Sequence, residues 1–312
     1  MTIEKKRIKL LEEFNKTSKK SQAYYKISGP GVYQKIRRLF LLRSKYLIYA
    51  LSKKGLISKD LEARLFFGKN ITLPSNDLDM YPMYFFGTLW PEESPLTRFF
   101  IKNFKENDIF YDIGANYGFY SYLAKTILTR GEVYSFEPNP AVFEYFKKNK
   151  KGQDIYLNNC AVGDKDGEVY LFGSFKENIY RSGSSSIVES VASYELNKDF
   201  YDHKISISSI RLDTYVKSNK PPTIVKIDVE GAEPLVIRGG ENMLSMFSPV
   251  IIMEVWGGKR GEDFSRNAIQ KLSQLEYKKI SKINEYGEKV KIQKVDFSSI
   301  PNMSYENWVF EK

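Results

Sequence analysis

Residues 109–118 read IFYDIGANYG, and this stretch decides the fold. A short apolar run ends at an acidic residue and a glycine, and an apolar segment of helical length, Phe119 to Leu128, comes next. A buried strand that turns sharply into a helix is the repeating unit of parallel α/β sheets. We therefore expect a strand over residues 109–113 and a helix over residues 119–128.

The same alternation continues toward the carboxyl terminus. Further strands are predicted at residues 132–136, 155–157, 168–172, 224–227, 250–255 and 308–310, and helices at residues 96–104 and 141–150. Strands that alternate with helices form a mostly parallel, twisted sheet with helices on both faces, which is the Rossmann-like α/β class. The strand at 168–172 is expected to be an insertion, since it follows a polar turn at hairpin distance.

Three segments are expected along the chain. Residues 1–60 are predicted to form a basic helical extension, because they combine long side chains with few glycines. Residues 61–95 are predicted to be a packed, irregular connector, because prolines and aromatics dominate them. Residues 96–312 are predicted to form the α/β domain.

The cysteine and histidine content restricts the possible chemistry. The chain of 312 residues has one cysteine, Cys160, and one histidine, His203. This composition excludes a disulfide framework and zinc sites built on several thiolates or imidazoles. No apolar run resembles a secretory leader or is long enough to span a membrane, so a cytoplasmic location is expected.

Positive charge is concentrated near the amino terminus. Residues 1–60 hold 16 of the 48 Lys and Arg residues but 4 of the 38 Asp and Glu residues, so the rest of the chain is nearly neutral. A neutral body argues against a nucleic-acid partner. Apolar residues interleave with the basic ones around Leu39 and Leu47, which favours peripheral contact of residues 1–60 with an anionic membrane surface.

The turn after the first strand favours one cofactor over another. Gly114 permits the sharp turn and Gly118 permits close approach of the next helix, but Asn116 stands where a dinucleotide site has its middle glycine. That glycine lets the backbone approach a pyrophosphate, which S-adenosylmethionine lacks. Asn116 is instead expected to offer its amide to the amino-acid part of S-adenosylmethionine.

Two further strand ends complete the predicted cofactor site. Glu137 ends the second strand, 25 residues after Asp112, where a carboxylate can accept hydrogen bonds from both ribose hydroxyls. Pro138 follows it, and Ala161 lies where an apolar wall for the adenine ring is expected. A carboxylate at Glu137 suits both S-adenosylmethionine and NAD.

The sequence resembles the FkbM family of methyltransferases. The resemblance covers roughly residues 96–260 and rests on residues 110–118, 135–138, 159–163, 210–213 and 226–233. It implies a class I methyltransferase fold, S-adenosylmethionine as cofactor, and methylation of hydroxyls on sugars, glycans or secondary metabolites. It also implies that the cofactor contacts are Asp112, Gly114, Asn116, Gly118 and Glu137.

Asp228 is the first candidate for the general base. It ends the strand at residues 224–227, next to the expected cofactor cleft, and it is also a candidate cofactor contact. Glu230 and Glu233 follow within one turn, and carboxylates this close raise one another's pKa, although Glu233 also suits the first turn of a helix. The cluster offers oxygen ligands for a divalent metal, but we assign no metal. His203, in a polar stretch, is the alternative base.

Four residues are candidates for binding the acceptor. Arg181 and Ser184 belong to a polar loop that can bind hydroxyls, and Glu254 with Trp256 ends the strand at residues 250–255. An aromatic ring covers one face of a pyranose, and a carboxylate binds its hydroxyls. The acceptor is therefore expected to be a small molecule or glycan.

Other functions remain open from the sequence. An NAD-dependent oxidoreductase uses the same fold, and a non-catalytic nucleotide-binding module could retain it. Methylation of amines is less favoured, because Asp228-Val229-Glu230-Gly231 follows the fourth strand in place of an Asn/Asp-Pro-Pro-Tyr motif. The acceptor's identity and the oligomeric state are not specified.

Overall fold

A computed structural model describes residues 2–26, 42, 44–173, 181–189, 203–301 and 304–312. Its helices are α1 (Ile3–Tyr25), α2 (Ser44–Lys53), α3 (Tyr81–Phe86), α4 (Ser94–Asn103), α5 (Phe119–Ile127), α6 (Pro140–Asn149), α7 (Leu212–Tyr215), α8 (Glu233–Gly239), α9 (Glu241–Phe247), α10 (Gly258–Arg260) and α11 (Arg266–Gln274). Short 3₁₀ helices span Pro91–Glu93, Ser182–Ser184 and Phe297–Ser299, and a π-helical turn spans Gly261–Ser265.

The strands of the described residues form three sheets. They are β1 (Asp60–Arg64), β2 (Asn70–Pro74), β3 (Ile109–Ile113), β4 (Glu132–Phe136), β5 (Ile155–Asn158), β6 (Ala161–Val162), β7 (Gly167–Gly173), β8 (His203–Ile210), β9 (Ile224–Ile227), β10 (Val250–Trp256), β11 (Lys279–Ile283), β12 (Lys289–Lys291) and β13 (Tyr305–Glu311).

The central sheet has the order β12-β11-β13-β10-β9-β3-β4-β5. Strands β10, β9, β3, β4 and β5 are parallel, whereas β13 is antiparallel to its neighbours β10 and β11. The chain leaves β3 toward β4 and β5 and later returns to β9 on the other side, so the strand order reverses between β3 and β9. Open α/β sheets bind ligands at such a reversal. This is the Rossmann-like class I methyltransferase fold that the sequence predicts.

The predicted strands agree with the structure at the centre of the sheet and depart from it in the insertion. The bounds of β3, β4 and β9 are those predicted, and β13 is longer than the predicted strand at residues 308–310. The predicted inserted strand is present as β7 in a separate three-stranded sheet, but it does not pair with the strand before the turn. Strand β8 lies between β6 and β7, parallel to the first and antiparallel to the second. His203, expected in a polar loop, begins β8.

Glycines hold the turn after β3 against its neighbours. Gly114 has φ +77°, and a Cβ atom there would lie 1.7 Å from the carbonyl oxygen of Asp228. Gly118 has φ +85°, and a Cβ atom there would lie 2.5 Å from the ring of Phe146. Any larger residue at these positions would push the turn away from the end of β9 or from α6.

Helix α1 packs on the α/β domain. The ring of Phe14 is fully buried, and the guanidinium of Arg98 lies 5.0 Å from its centre. Arg7 Nη2 donates to the carbonyl oxygen of Phe104 at 2.6 Å. The sequence indicated a separate basic appendage, but these contacts make α1 part of the body. The apolar positions of α1 bury against α4, a contact that charge counting does not show.

Residues 61–95 are more regular than predicted. Strands β1 and β2 form an antiparallel hairpin that Asn149 connects to the domain. Asn149 Oδ1 accepts the N–H of Thr72 at 2.7 Å, and Asn149 Nδ2 donates to the carbonyl oxygen of Thr72 at 2.8 Å. Pro82 and Pro95 lie in the first turns of α3 and α4, where a helix does not need the N–H that proline lacks. The prolines therefore mark helix starts, and the segment reaches the carboxyl ends of the central strands.

Candidate active site

Two adjoining cavities lie at the carboxyl ends of the parallel strands. The first, about 680 Å³, is bounded by the turns after β3, β4 and β9, by β6 and β7, and by the 3₁₀ helix Ser182–Ser184. It brings together six predicted cofactor residues: Gly114, Asn116, Glu137, Pro138, Ala161 and Asp228. We call it the cofactor cavity.

Glu137 is a buried carboxylate whose oxygens face backbone donors. Its Oε2 accepts the N–H of Asn116 at 2.8 Å, and its Oε1 accepts the N–H of Asn139 at 2.9 Å. Burial raises the pKa of Glu137 to about 7, against the lowering effect of these two bonds. A carboxylate offers about four lone-pair sites, so both oxygens can accept further hydrogen bonds from a ligand.

Asn116 connects the turn after β3 to the 3₁₀ helix Ser182–Ser184. Its φ is +50°, a conformation that asparagine tolerates better than most residues. Its Oδ1 accepts the N–H of Tyr117 at 2.7 Å, and its Nδ2 donates to Ser182 Oγ at 3.1 Å. The amide predicted to bind the cofactor therefore also orders a wall of the cavity.

Asp112 and Gly118, both predicted cofactor contacts, lie outside the lining of the cofactor cavity. Asp112 is fully buried, and its Oδ2 accepts the hydroxyl of Ser121 at 2.5 Å. Gly118 packs on α6. The side chain of Asp112 is turned into the protein, and contact of Asp112 and Gly118 with the cofactor stays a prediction. Asp112 in β3 precedes the turn, and Gly118 ends it at the start of α5.

The second cavity, about 860 Å³, is rich in acidic and aromatic groups. Its carboxylates belong to Asp79, Glu93, Asp228, Glu230 and Glu254, and its large rings include those of Trp90, Tyr120, Trp256 and Tyr305. It shares Gly114, Asn116, Gly183, Asp228 and Glu230 with the cofactor cavity. We call it the acceptor cavity, because ligands in the two cavities would meet at these shared residues.

Lys226 is a buried cation beneath Asp228. Its Nζ lies 2.9 Å from Asp228 Oδ2 and 3.8 Å from Asp112 Oδ1. Burial lowers the pKa of Lys226, but the carboxylates of Asp228 and Asp112 raise it by more, so the lysine stays protonated. Lys226 was not among the residues predicted from the sequence. Alternate residues of a strand point to the same face, so the spacing of residues 226 and 228 could have indicated that Lys226 lies beside Asp228.

Glu230 and Glu254 meet in the acceptor cavity from different elements. Glu230 lies in the turn after β9 with φ +52°, and its Oε2 lies 3.1 Å from Arg260 Nη2. Glu254 comes from β10, as predicted for a substrate-binding residue. Burial, followed by the neighbouring carboxylates, raises the pKa values of both residues.

Glu233 has a structural position. It begins α8, and its Oε1 accepts the N–H groups of Val229 at 3.3 Å and of Gly231 at 3.2 Å. Burial raises its pKa to about 7, although these backbone bonds lower it. The carboxylate therefore stabilises the turn that presents Asp228 and Glu230.

Trp256 lines the acceptor cavity with part of its ring surface. The guanidinium carbon of Arg260 lies 3.1 Å from the ring centroid, and the Tyr305 ring is 5.5 Å away at 55°. Arg260 therefore covers one face of the indole. Stacking of a sugar ring, predicted for Trp256, is restricted to the surface that Arg260 leaves open.

Two aspartates from the segment before α3 accept hydrogen bonds from the backbone of the 3₁₀ helix Ser182–Ser184. The N–H of Gly183 donates to Asp79 Oδ2 at 2.9 Å, and the N–H of Ser182 donates to Asp77 Oδ1 at 3.4 Å. Burial, together with Asp79, raises the pKa of Asp77 to about 6. Ser184 lines the acceptor cavity, and its role in binding the acceptor stays a prediction. Arg181 Nη1 lies 3.9 Å from Asp79 Oδ1, so Arg181 is paired to the wall of the cavity.

The backbone of His203 pairs with Gly173 at the start of β8. Its side chain lies outside the described residues, so its role as alternative base stays a prediction.

No helix in the described parts of the chain is long and apolar enough to cross a membrane.

The chain is similar to known methyltransferases. Residues 112–279 match the family described as the methyltransferase FkbM domain. The hexuronic acid methyltransferase AglP of Haloferax volcanii is 28% identical over 177 residues, which cover 56% of this chain and 66% of that protein. Methyltransferase 1 of Beauveria bassiana is 26% identical over 148 residues, which cover 44% of this chain and 59% of that protein. The chain thus spans less than two thirds of the length of either relative.

Among solved structures, methyltransferase FkbM from Methylobacillus flagellatus aligns with a TM-score of 0.43 and 12% identity, covering 67% of this chain and 44% of that chain. Fibrillarin from Aeropyrum pernix, in complex with natively bound S-adenosyl-L-methionine, aligns with a TM-score of 0.38 and 12% identity, covering 71% of this chain and 76% of that chain.

The strand order and the family match define a class I methyltransferase. The chain belongs to the FkbM methyltransferase family, since the match spans more than half of its length. Because the family is one of methyltransferases, the NAD-dependent oxidoreductase, which was compatible with the fold alone, is no longer an alternative.

Proposed function

We propose that the protein transfers a methyl group from S-adenosylmethionine to a hydroxyl of a sugar, glycan or secondary metabolite. The observation that carries this proposal is the pair of adjoining cavities, which share Asp228 and Glu230 at their junction. One cavity presents Glu137 among apolar walls, and the other presents several carboxylates beside aromatic rings. A methyl donor and a hydroxylated acceptor need two such compartments with a common boundary.

The residues of the first cavity fit S-adenosylmethionine. Glu137 is placed to accept hydrogen bonds from ribose hydroxyls, and Ala161 and Val162 form an apolar wall suited to the adenine ring. The turn after β3 is shaped by its contact with Asp228, and it lacks the middle glycine that a pyrophosphate requires. These features favour a nucleoside without phosphates.

Asp228 is the proposed general base. When bound, S-adenosylmethionine supplies a methyl group on a positively charged sulfur. The acceptor oxygen must approach that methyl carbon to about 3 Å from the side opposite the sulfur. Lys226 fixes one oxygen of Asp228 at 2.9 Å, so the carboxylate is oriented at the junction, where it can accept the hydroxyl proton.

The acceptor class follows from the second cavity. Carboxylates accept hydrogen bonds from hydroxyls, and aromatic rings cover the C–H faces of sugars, so Glu254 and the open surface of Trp256 suit a carbohydrate. The similarity to a protein named hexuronic acid methyltransferase supports the same class.

The test is transfer of labelled methyl from S-adenosylmethionine to a panel of sugars and glycans. Asp228→Asn keeps the shape and removes the base, so kcat should fall by about 100-fold or more while cofactor affinity changes less. Asp263→Asn, at an exposed carboxylate outside both cavities, is the matched control. Normal turnover in Asp228→Asn together with loss in His203→Ala would move the base to His203.

We also propose that residues 1–60 contact an anionic membrane surface. Three consecutive apolar residues of α2 are exposed, namely Tyr46, Leu47 and Ile48, and Lys53 and Lys54 follow them. Apolar residues beside basic ones favour the headgroup region of anionic lipid. Such contact would bring the enzyme to a lipid-linked acceptor. The basic and apolar residues predicted to take part between positions 36 and 40 lie outside the described residues.

A further inference from the structure

Three carboxylates converge where the two cavities meet. One oxygen of each of Asp228, Glu230 and Glu254 can be chosen so that all three lie within 4.8 Å of one another. Two of these residues follow β9 and the third belongs to β10, so the cluster spans neighbouring parallel strands. All three residues line the acceptor cavity.

The cations around this cluster leave one carboxylate uncompensated. Lys226 contacts Asp228 at 2.9 Å and is shared with Asp112, and Arg260 contacts Glu230 at 3.1 Å. Glu254 is 6% exposed, and its Oε2 has no hydrogen-bond partner among the described residues. A buried carboxylate oxygen without a partner is unfavourable unless a ligand supplies one. A ligand that supplies positive charge or a hydrogen bond would therefore complete the cluster.

Oxygen chemistry identifies the kind of ligand. The chain has one cysteine and one histidine, so an all-carboxylate site lacks the thiolate and imidazole ligands that zinc and copper prefer. Carboxylates with water and substrate oxygens are the usual ligands of Mg²⁺ and Mn²⁺. A carboxylate has two oxygens with two lone pairs each, so the oxygen of Asp228 that faces away from Lys226 can bind an ion through one lone pair and keep the other lone pair for the proton of the acceptor hydroxyl.

We propose that Asp228, Glu230 and Glu254 bind a divalent cation, Mg²⁺ or Mn²⁺, at the mouth of the acceptor cavity, where the cation binds the acceptor oxygen. Bound there, the ion neutralises the excess negative charge and polarises the hydroxyl that is to be methylated. Its role in methyl transfer rests on the proposed function, whereas its binding does not. In the sequence Glu254 lies more than 20 residues from Asp228 and Glu230, so only the pairing of β9 with β10 brings the three carboxylates together.

The binding test needs neither cofactor nor acceptor. The full chain is stripped with EDTA, dialysed, and titrated with Mn²⁺ while free Mn²⁺ is followed by electron paramagnetic resonance. We expect about one Mn²⁺ per chain, displaced by Mg²⁺. Glu254→Gln keeps the side-chain shape and should weaken Mn²⁺ binding by about tenfold or more. Glu262→Gln, at an exposed carboxylate outside the cavities, should bind as the unmodified protein does.

Thermal unfolding separates loss of the site from loss of the fold. Without metal, Glu254→Gln should melt no lower than the unmodified protein, since it removes an uncompensated buried charge. Mg²⁺ should raise the Tm of the unmodified protein and raise that of Glu254→Gln by less at the same concentration. Absence of saturable Mn²⁺ binding in protein that still binds S-adenosylmethionine would overturn the cation site. Mn²⁺ binding in protein that transfers no methyl group would support the site and count against the proposed function.

Discussion

Replacement of Glu137 by glutamine tests the cofactor cavity most directly. Glutamine keeps one acceptor oxygen and turns the other oxygen into an NH₂ donor. Because both oxygens of Glu137 accept backbone N–H groups, at 2.8 Å and 2.9 Å, one N–H would then face a donor. The ribose would also lose a hydrogen bond to a charged group, worth about 1.5–3 kcal/mol. The dissociation constant should therefore rise by about 10–150-fold.

The pH dependence of binding gives a second, independent readout. The pKa of Glu137 in the free protein is raised to about 7 by burial. Ribose hydroxyls donate to the ionised form, so binding favours the carboxylate and affinity should increase as pH rises through 7. From this pKa, the dissociation constant at about pH 6 should be about tenfold larger than at about pH 8.

Isothermal titration of S-adenosylhomocysteine at several pH values, with ionic strength held constant, measures both effects. Glu137→Gln cannot ionise, so it should lose the part of the pH dependence that Glu137 contributes. Titration of the ligand itself contributes equally to the pH dependence of both proteins. The difference between their two pH profiles therefore reports on Glu137 alone. Equal affinity of the two proteins, or the same pH profile in both, would refute the assignment of Glu137 to the ribose.

Other substitutions test the remaining parts of the site. Gly114→Ala places a Cβ atom 1.7 Å from the Asp228 carbonyl at φ +77°, so we expect loss of cofactor binding in titration, or loss of folding seen by circular dichroism. Lys226→Met leaves the buried carboxylate of Asp112 and the partly exposed carboxylate of Asp228 without their cation, so urea unfolding should show a loss of about 3–5 kcal/mol, and unchanged stability would contradict the ion pairs described here. Leu47→Glu, at a side chain 61% exposed, should reduce sedimentation of the full chain with anionic liposomes at low salt, and equal sedimentation of both proteins would exclude a membrane role for α2.

Local sequence was sufficient for the central strands and for part of the cofactor site. The run at residues 109–113 and the glycines after it predict a strand, a sharp turn and a helix, because these preferences act within a few residues. Glu137 was found for a related reason. Parallel strands expose their carboxyl ends at one edge of the sheet, so a carboxylate that closes a predicted strand is placed near the ligand without knowledge of other contacts.

Local signals failed where an element depends on a distant partner. Strand β7 was predicted as an insertion because it follows a polar turn at hairpin distance, but the sequence did not show which strand lies next to it. Strand β8 takes that place from about 40 residues further along the chain, because sheet pairing follows side-chain packing more than sequence distance. In the segment at residues 61–95, prolines indicated irregular structure, yet several of them start helices, and the segment brings Asp79, in the turn before α3, and Glu93, in the 3₁₀ helix Pro91–Glu93, to the acceptor cavity.

The sequence by itself determined that this protein has a Rossmann-like fold with a candidate cofactor site around Gly114 and Glu137. Only the tertiary structure decided that Glu254 joins Asp228 and Glu230, and that Lys226 lies beneath them. The physical reason is that strand periodicity fixes which face a side chain takes, whereas the distance between charges depends on which strands become neighbours. Neighbouring strands in this sheet are brought together by burial of their apolar faces, and the charges at their ends meet as a consequence.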